Sequence, residues 1–258
     1  MDKAPRGHAL STVATLGVLL ALWWGVTASG LVAPLFLPGP GAVAGRIVEL
    51  VRDGFVGATL LQHAGASLAR VGLAMLFACV TAIPVGMAMG LWPRFNAAFD
   101  PLIEFYRPVP PLAYLPLIVI WFGIGEVTKV ILITMAIFAP LAIATASGVR
   151  RVDPDRIRAA RSLGASRDQV IWLVIFPSAL PDILTGLRIA LGVGWSTLVA
   201  AELVAATRGL GFMVQSASQM LVTDVVVAGI LVIAFIALAM ELLLRWIERR
   251  FVGWSGTR

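Results

Sequence analysis

The sequence predicts an all-α polytopic membrane protein of about six transmembrane helices, and three observations carry that reading. Of 258 residues, 59% are apolar and only 13% are charged, where globular domains are about half apolar and a quarter charged. The mean hydropathy is +0.93. The apolar residues also gather into charge-poor runs of about 20, the length an α-helix needs to cross a hydrocarbon layer about 30 Å thick.

The runs fall at 9–28, 71–92, 108–125, 130–149, 183–206 and 225–244. Arg188 and Glu202 interrupt the fifth, and Glu241 lies near the end of the sixth. The first follows Lys3 and Arg6 and ends in small residues, as a secretory leader does. Its length and its Trp23–Trp24 pair predict a retained helix anchored near an interface instead. The third is the shortest, and Pro108, Pro110 and Pro111 at its start predict a broken or irregular entry. Irregular backbone at that depth has to be covered by protein or line a water-filled cavity.

Between the first two runs, LFLPGPGAV is a Pro/Gly-rich turn. After it Val43, Ile47, Leu50 and Val51 form an apolar helical stripe, with Arg46, Glu49, Arg52 and Asp53 off it. That pattern predicts a helix lying at the membrane surface. The chain reads as an N-terminal span (1–30), an outer loop with a surface helix (31–57) and a core (58–258) containing a cytoplasmic loop at 150–182. No fixed-period repeat or low-complexity tract divides it.

Basic residues orient the spans. With both termini in the cytoplasm, fifteen of the 20 basic residues lie inside, among them Lys3, Arg150, Arg151, Arg156, Arg158, Arg161, Arg167 and Arg258. Arg46, Arg52, Arg70, Lys129 and Arg208 are left outside. This is the bias produced when cationic loops resist translocation. The net charge of +6 is therefore a topology signal, and cations spread over loops argue against nucleic-acid binding. Cys79 has no partner in the chain, which excludes an intrachain disulfide or a cysteine-based metal site.

The segment RAARSLGASRDQVIWLVIFPSALP, from Arg158 to Pro181, stands apart from the apolar runs. Upstream, Asp153 and Pro154 form a helix start, and Gly164 ends that helix. Ser166 and Gln169 then have capping-box spacing, predicting a second short helix that runs to Pro177. The loop is thus two ordered helices at an angle. Capping alone does not say what it touches, and a plain connector satisfies it equally.

This segment resembles the ATPase-docking motif of permease subunits of binding-protein-dependent ABC importers: Glu-Ala-Ala, three residues, Gly, nine residues, Ile-x-Leu-Pro. Ala159, Ala160, Gly164, Val174, Phe176 and Pro177 fall on that spacing, while Arg158 occupies the glutamate position. The similarity runs from about Thr59 to the C-terminus. YRPVPPLAYLPLIVIWFGIGE, LTGLRIALGVGWSTLVAAELVAATRGLGFMVQSA and TDVVVAGI are closest to the sulfonate and taurine branch. The resemblance implies a type I ABC importer permease fold and a non-catalytic chain in the bacterial inner membrane. It implies transport of a small sulfonate such as taurine, with alkanesulfonates, nitrate and related anions as alternatives. It also implies a second permease copy, two ATP-binding subunits that bind the ATP and Mg, and an extracytoplasmic solute-binding protein. Ala159, Ala160, Gly164, Ala165, Ser166 and Pro177 would form the ATPase-coupling loop.

The sequence fits that division of labour, since no glycine-rich phosphate loop ending in Gly-Lys-[Ser/Thr] is present and neither lysine follows a glycine. An ion-coupled secondary transporter would need costly intramembrane ionisable groups. Glu202 is the one strong candidate, and a paired structural carboxylate explains it equally well. A membrane enzyme would need a His, Cys or carboxylate cluster, and His8 and His63 fall on opposite sides of the membrane. In the fifth span Gly186, Ala190, Gly194, Thr197 and Ala201 share one helix face, small residues that serve close helix packing first and pathway lining second. Trp195, Ser196, Thr197 and Glu202 are the expected border of a translocation path.

Overall fold

The computed structural model describes residues 6–252, and among them the regular structure is helical apart from one bridge between Phe55 and Ala58. Lys3 and Arg258, used above for topology, lie outside the described residues. The chain forms two compact units, residues up to 64 with 208–234, and residues 65–207 with those from 235 onward.

In the first unit, α1 (Arg6–Ala28) is a 23-residue helix with an apolar stretch at Ala14–Ala28. Its Trp23 Nε1 donates to Pro38 O at 3.0 Å, tying the helix to the proline-rich turn. That turn leads into α2 (Pro40–Arg52), which starts with a proline where no amide donor is needed. Val43 and Leu50 of the expected stripe are buried, and Val51 is exposed. Arg46 is half-buried and pairs with Glu49 at 2.6 Å and Asp224 at 3.2 Å. The fully buried His63 accepts the Gly209 N–H on Nδ1 at 3.1 Å, so Nε2 carries the proton shared with Phe55 O at 3.0 Å. A short helix, α10 (Leu210–Gln219), lies against the first part of α11 (Thr223–Phe251). A Cβ at Gly229 would stand 2.5 Å from Val214 Cγ2, so glycine sets that contact.

The second unit takes up most of α3 (Leu60–Leu91), then α4 (Pro93–Tyr106), a 3-10 turn at Pro111–Tyr114 and α5 (Leu115–Phe122). α4 and the segment Pro111–Phe122 meet at 89°, which is the broken third span that the prolines predicted. α6 (Glu126–Arg150) is the central helix, and Leu132, Ile133, Ile137, Leu141 and Ala142 along it are fully buried. After α7 (Pro154–Ser162) and α8 (Arg167–Val170), a π-helical turn at Ile171–Ile175 leads into α9 (Phe176–Ala205). Among the described residues, four helices are long and apolar enough to cross a membrane: Leu60–Leu91, Glu126–Arg150, Arg167–Val204 and Thr223–Arg250, with the bent pair as a fifth. Their exposed Leu, Ile, Val and Phe side chains suit acyl chains, and helical hydrogen bonding satisfies the backbone without water.

Two boundaries differ from the sequence expectation. The second and fourth spans begin at Leu60 and Glu126, not after Arg70 and Lys129, so both cations lie within helices. The reason is that they are paired there, which hydropathy does not register. The second loop helix also does not stop at Pro177. That proline sits in the first turn of α9, just after the π turn has widened the hydrogen-bond spacing, so the missing N–H breaks nothing and one helical path runs from Arg167 to Val204.

Candidate functional site

The loop between α6 and α9 is ordered by its own backbone. Asp153 Oδ1 accepts from Asp155 N–H at 2.9 Å, giving α7 its N-cap with Pro154 in the first turn. At the other end Ala165 N–H bonds Ala160 O at 3.1 Å and Gly164 N–H bonds Arg161 O at 2.9 Å. Those two bonds are a Schellman motif, which needs a left-handed residue at its turn, and Gly164 supplies φ = +84°. Ser166 and Gln169 complete a reciprocal capping box at the start of α8. Ala159, Ala160, Gly164, Ala165 and Ser166 are thus one short elbow. Pro177 lies further on, in α9.

No residue of α7 is buried, and Leu163, at the elbow, is 90% exposed. Arg158 lies on the exposed side and pairs with Asp155 within the helix. At the loop's base Arg151 Nη1 meets Asp182 Oδ1 at 2.8 Å. A Cβ on Gly148 would stand 2.7 Å from Asp182 Cβ and 3.1 Å from Ala179 O, so glycine lets α6 and α9 touch where the loop leaves them.

Farther along that pair is a buried charge network. Glu202, fully buried on α9, accepts from Arg70 Nη1 at 2.5 Å and from Ser67 Oγ at 2.8 and 3.0 Å. Arg70, 4% exposed on α3, turns Nε and Nη2 to the two oxygens of Glu126 at 2.5 and 2.8 Å. Lys129 Nζ donates to Glu126 Oε1 at 2.8 Å. Two cations and two carboxylates balance, and the bidentate Arg70–Glu126 contact is the strong planar form of an ion pair. Three helices are joined through it.

The family model for "Binding-protein-dependent transport system inner membrane component" matches residues 82–253. The chain belongs to that family. As an inner membrane component it is a transport subunit and not an enzyme. It is 61% identical over 246 residues to the taurine transport system permease protein TauC of Escherichia coli K12, covering 95% of this chain and 90% of that one. It is 35% identical to a putative aliphatic sulfonates transport permease protein, SsuC, of Bacillus subtilis 168, covering 93% and 86%. Among solved structures, an inward-facing MetNI methionine ABC transporter matches with a TM-score of 0.66 at 17% identity, covering 74% of this chain and 95% of that one. An amino acid ABC transporter matches with a TM-score of 0.60 at 22% identity, covering 80% and 96%. These two show the fold, that of type I ABC importer permeases.

The remaining expected site residues of this inner membrane component separate into two groups. Thr197 donates to Val193 O at 2.9 Å and shares the small-residue face on which Ala190 and Ala201 are fully buried. On the same face a Cβ at Gly194 would lie 2.7 Å from Ile137 Cγ2 of α6, so this is packing surface. Glu202 sits at its end, held in the charge network. Ser196 is exposed and bonds only Gly192 O of its own helix, at 3.1 Å. Trp195 is 7% exposed, has no hydrogen-bond partner on its buried Nε1, and borders a cavity of about 220 Å³ with Leu191, Gly192, Met240 and Glu241. Beside that cavity Glu241 of α11 accepts from Arg188 Nη2 at 2.7 Å and Arg245 Nε at 2.9 Å, and Glu248 from Arg188 Nη1 at 3.1 Å.

Sequence reasoning found Glu202 and missed its partners. Arg70, Glu126 and Lys129 read as loop charges because each stands at the edge of an apolar run, and pairing between helices leaves no periodic signal.

Proposed function

We propose that this chain is the transmembrane permease subunit of an ATP-driven importer whose substrate is a small sulfonate, taurine first. The single observation that carries the reading is the 61% identity over 95% of the chain with a relative named for taurine transport. On this reading two copies of the chain form the pathway, and a solute-binding protein delivers the substrate on the outer side. The 150–182 loop and both termini face the cytoplasm, where two ATP-binding subunits bind ATP and Mg and engage the exposed α7–Gly164 elbow. The stiffness of the elbow supports this, because a capped helix with Leu163 at its tip transmits force that a slack loop would dissipate. Trp195 and Ser196 border the pathway, and Thr197 and Glu202 hold the helix that carries them.

The test is reconstitution in proteoliposomes with the ATP-binding subunit and the binding protein, measuring ATP-dependent uptake of labelled taurine against ethanesulfonate and nitrate. Uptake of taurine at the lowest KM is expected. Preference for ethanesulfonate would move the chain to the aliphatic sulfonate group.

A further inference from the structure

The charge network has an asymmetry that a purely structural clamp does not need. Arg70, Lys129 and Glu202 are 4%, 2% and 0% exposed, whereas the Glu126 side chain, which both cations grip, is 61% exposed. Three N–H donors, Arg70 Nε and Nη2 and Lys129 Nζ, converge on this one carboxylate at 2.5 to 2.8 Å. Glu126 is also the first residue of α6, preceded by Gly123 at φ = +77° and by Gly125, a stretch able to turn without side-chain hindrance.

Were the Glu126 carboxylate to swing out, Arg70 and Lys129 would lose the acceptor they share and the site would lose one negative charge. Its three donors would be aimed at the position an anion had left, beside the N-terminus of a 25-residue helix, which favours negative charge. A carboxylate offers this set two oxygens. A sulfonate offers three, one for each donor, with its charge spread over them.

We propose that Glu126 is a displaceable place-holder, and that Arg70 and Lys129 form a binding site for the sulfonate group of the solute, with Glu202 and Ser67 fixing the Arg70 guanidinium. This deepens the sulfonate importer reading and rests on it for the identity of the anion. Glu126 keeps the site neutral when no solute is present, so that inorganic anions are not held there. The arriving sulfonate takes over the three hydrogen bonds, and the returning carboxylate later expels it.

The test uses the permease–ATPase complex in nanodiscs, without binding protein, so that only a site on the complex is read. The probe is labelled methanesulfonate, with dimethyl sulfone as a neutral molecule of similar shape. Replacing the competing carboxylate by Glu126→Gln should tighten methanesulfonate binding by about tenfold or more, the scale of one charge-assisted hydrogen bond. Adding Lys129→Met should abolish the gain, and dimethyl sulfone should bind none of the forms. Glu126→Asp, which keeps the charge but shortens the reach, should give a smaller gain and provides a readout if the glutamine variant does not assemble. Equal methanesulfonate binding by wild type and the Glu126 variants, or equal binding of the sulfone, overturns the proposal. Taurine uptake by the wild-type importer is measured separately. Uptake without any effect of Glu126 rejects this site alone, whereas a charge-dependent site in a complex that does not import taurine keeps the site and rejects the substrate.

Discussion

Arg70 Nη1 and Glu202 Oε1 stand 2.5 Å apart in a place where neither side chain is more than 4% exposed. The pair joins α3 to α9 and is neutral only as a unit. Removing Arg70 takes from the buried Glu202 the guanidinium that faces it, and breaking a buried ion pair costs about 3 to 5 kcal/mol. Arg70→Met should therefore lower the unfolding temperature of the purified chain sharply, while Arg70→Met with Glu202→Met should recover most of the loss, since Glu126 and Lys129 remain balanced. Differential scanning fluorimetry in detergent measures both. A double variant no more stable than the single one would show that the network is not the source of the cost.

Gly164 holds φ = +84° at the elbow. A leucine there pays about 1 to 2 kcal/mol of left-handed strain, borne by a surface loop rather than by the spans. Gly164→Leu should insert normally but co-purify poorly with the ATP-binding subunit, or hydrolyse ATP without uptake. Normal uptake through a normal complex would make the loop a plain connector.

Ser196 and Thr197 are adjacent, yet they present different surfaces, one exposed and one against the helix partner. Thr197→Leu should disrupt assembly, because Thr197 is 6% exposed on the face that meets α6 closely at Gly194, and a longer, branched side chain overpacks it. Ser196→Leu should leave the complex intact and its basal ATP hydrolysis unchanged, with uptake reduced several-fold. Size-exclusion chromatography and uptake on the same preparations separate the two results.

Topology rests on the arginine asymmetry. In a Cys79→Ser background, single cysteines at Ser162 and at the exposed Thr207 should react with an impermeant thiol reagent from opposite faces of the membrane. Reaction from the same face would refute the orientation.

The sequence by itself determined the parts whose cause is local. Spans follow from apolar length, the break before α5 from three prolines, and the elbow from Asp153–Pro154, Gly164 and the Ser166–Gln169 pair, because caps and φ angles depend on residues within one turn. Only the tertiary structure decided where the charges go. Arg70 and Glu126 are 56 residues apart and Ser67 and Glu202 are 135 apart, so their pairing exists only once α3, α6 and α9 are side by side. The same holds for the small-residue face of α9, since spacing says that Gly186 and Gly194 share a face and only the neighbouring helix says what fills it. Pro177 marks the limit of local reading: it looks like a helix end in one dimension, and a π turn before it makes it the first turn of a span.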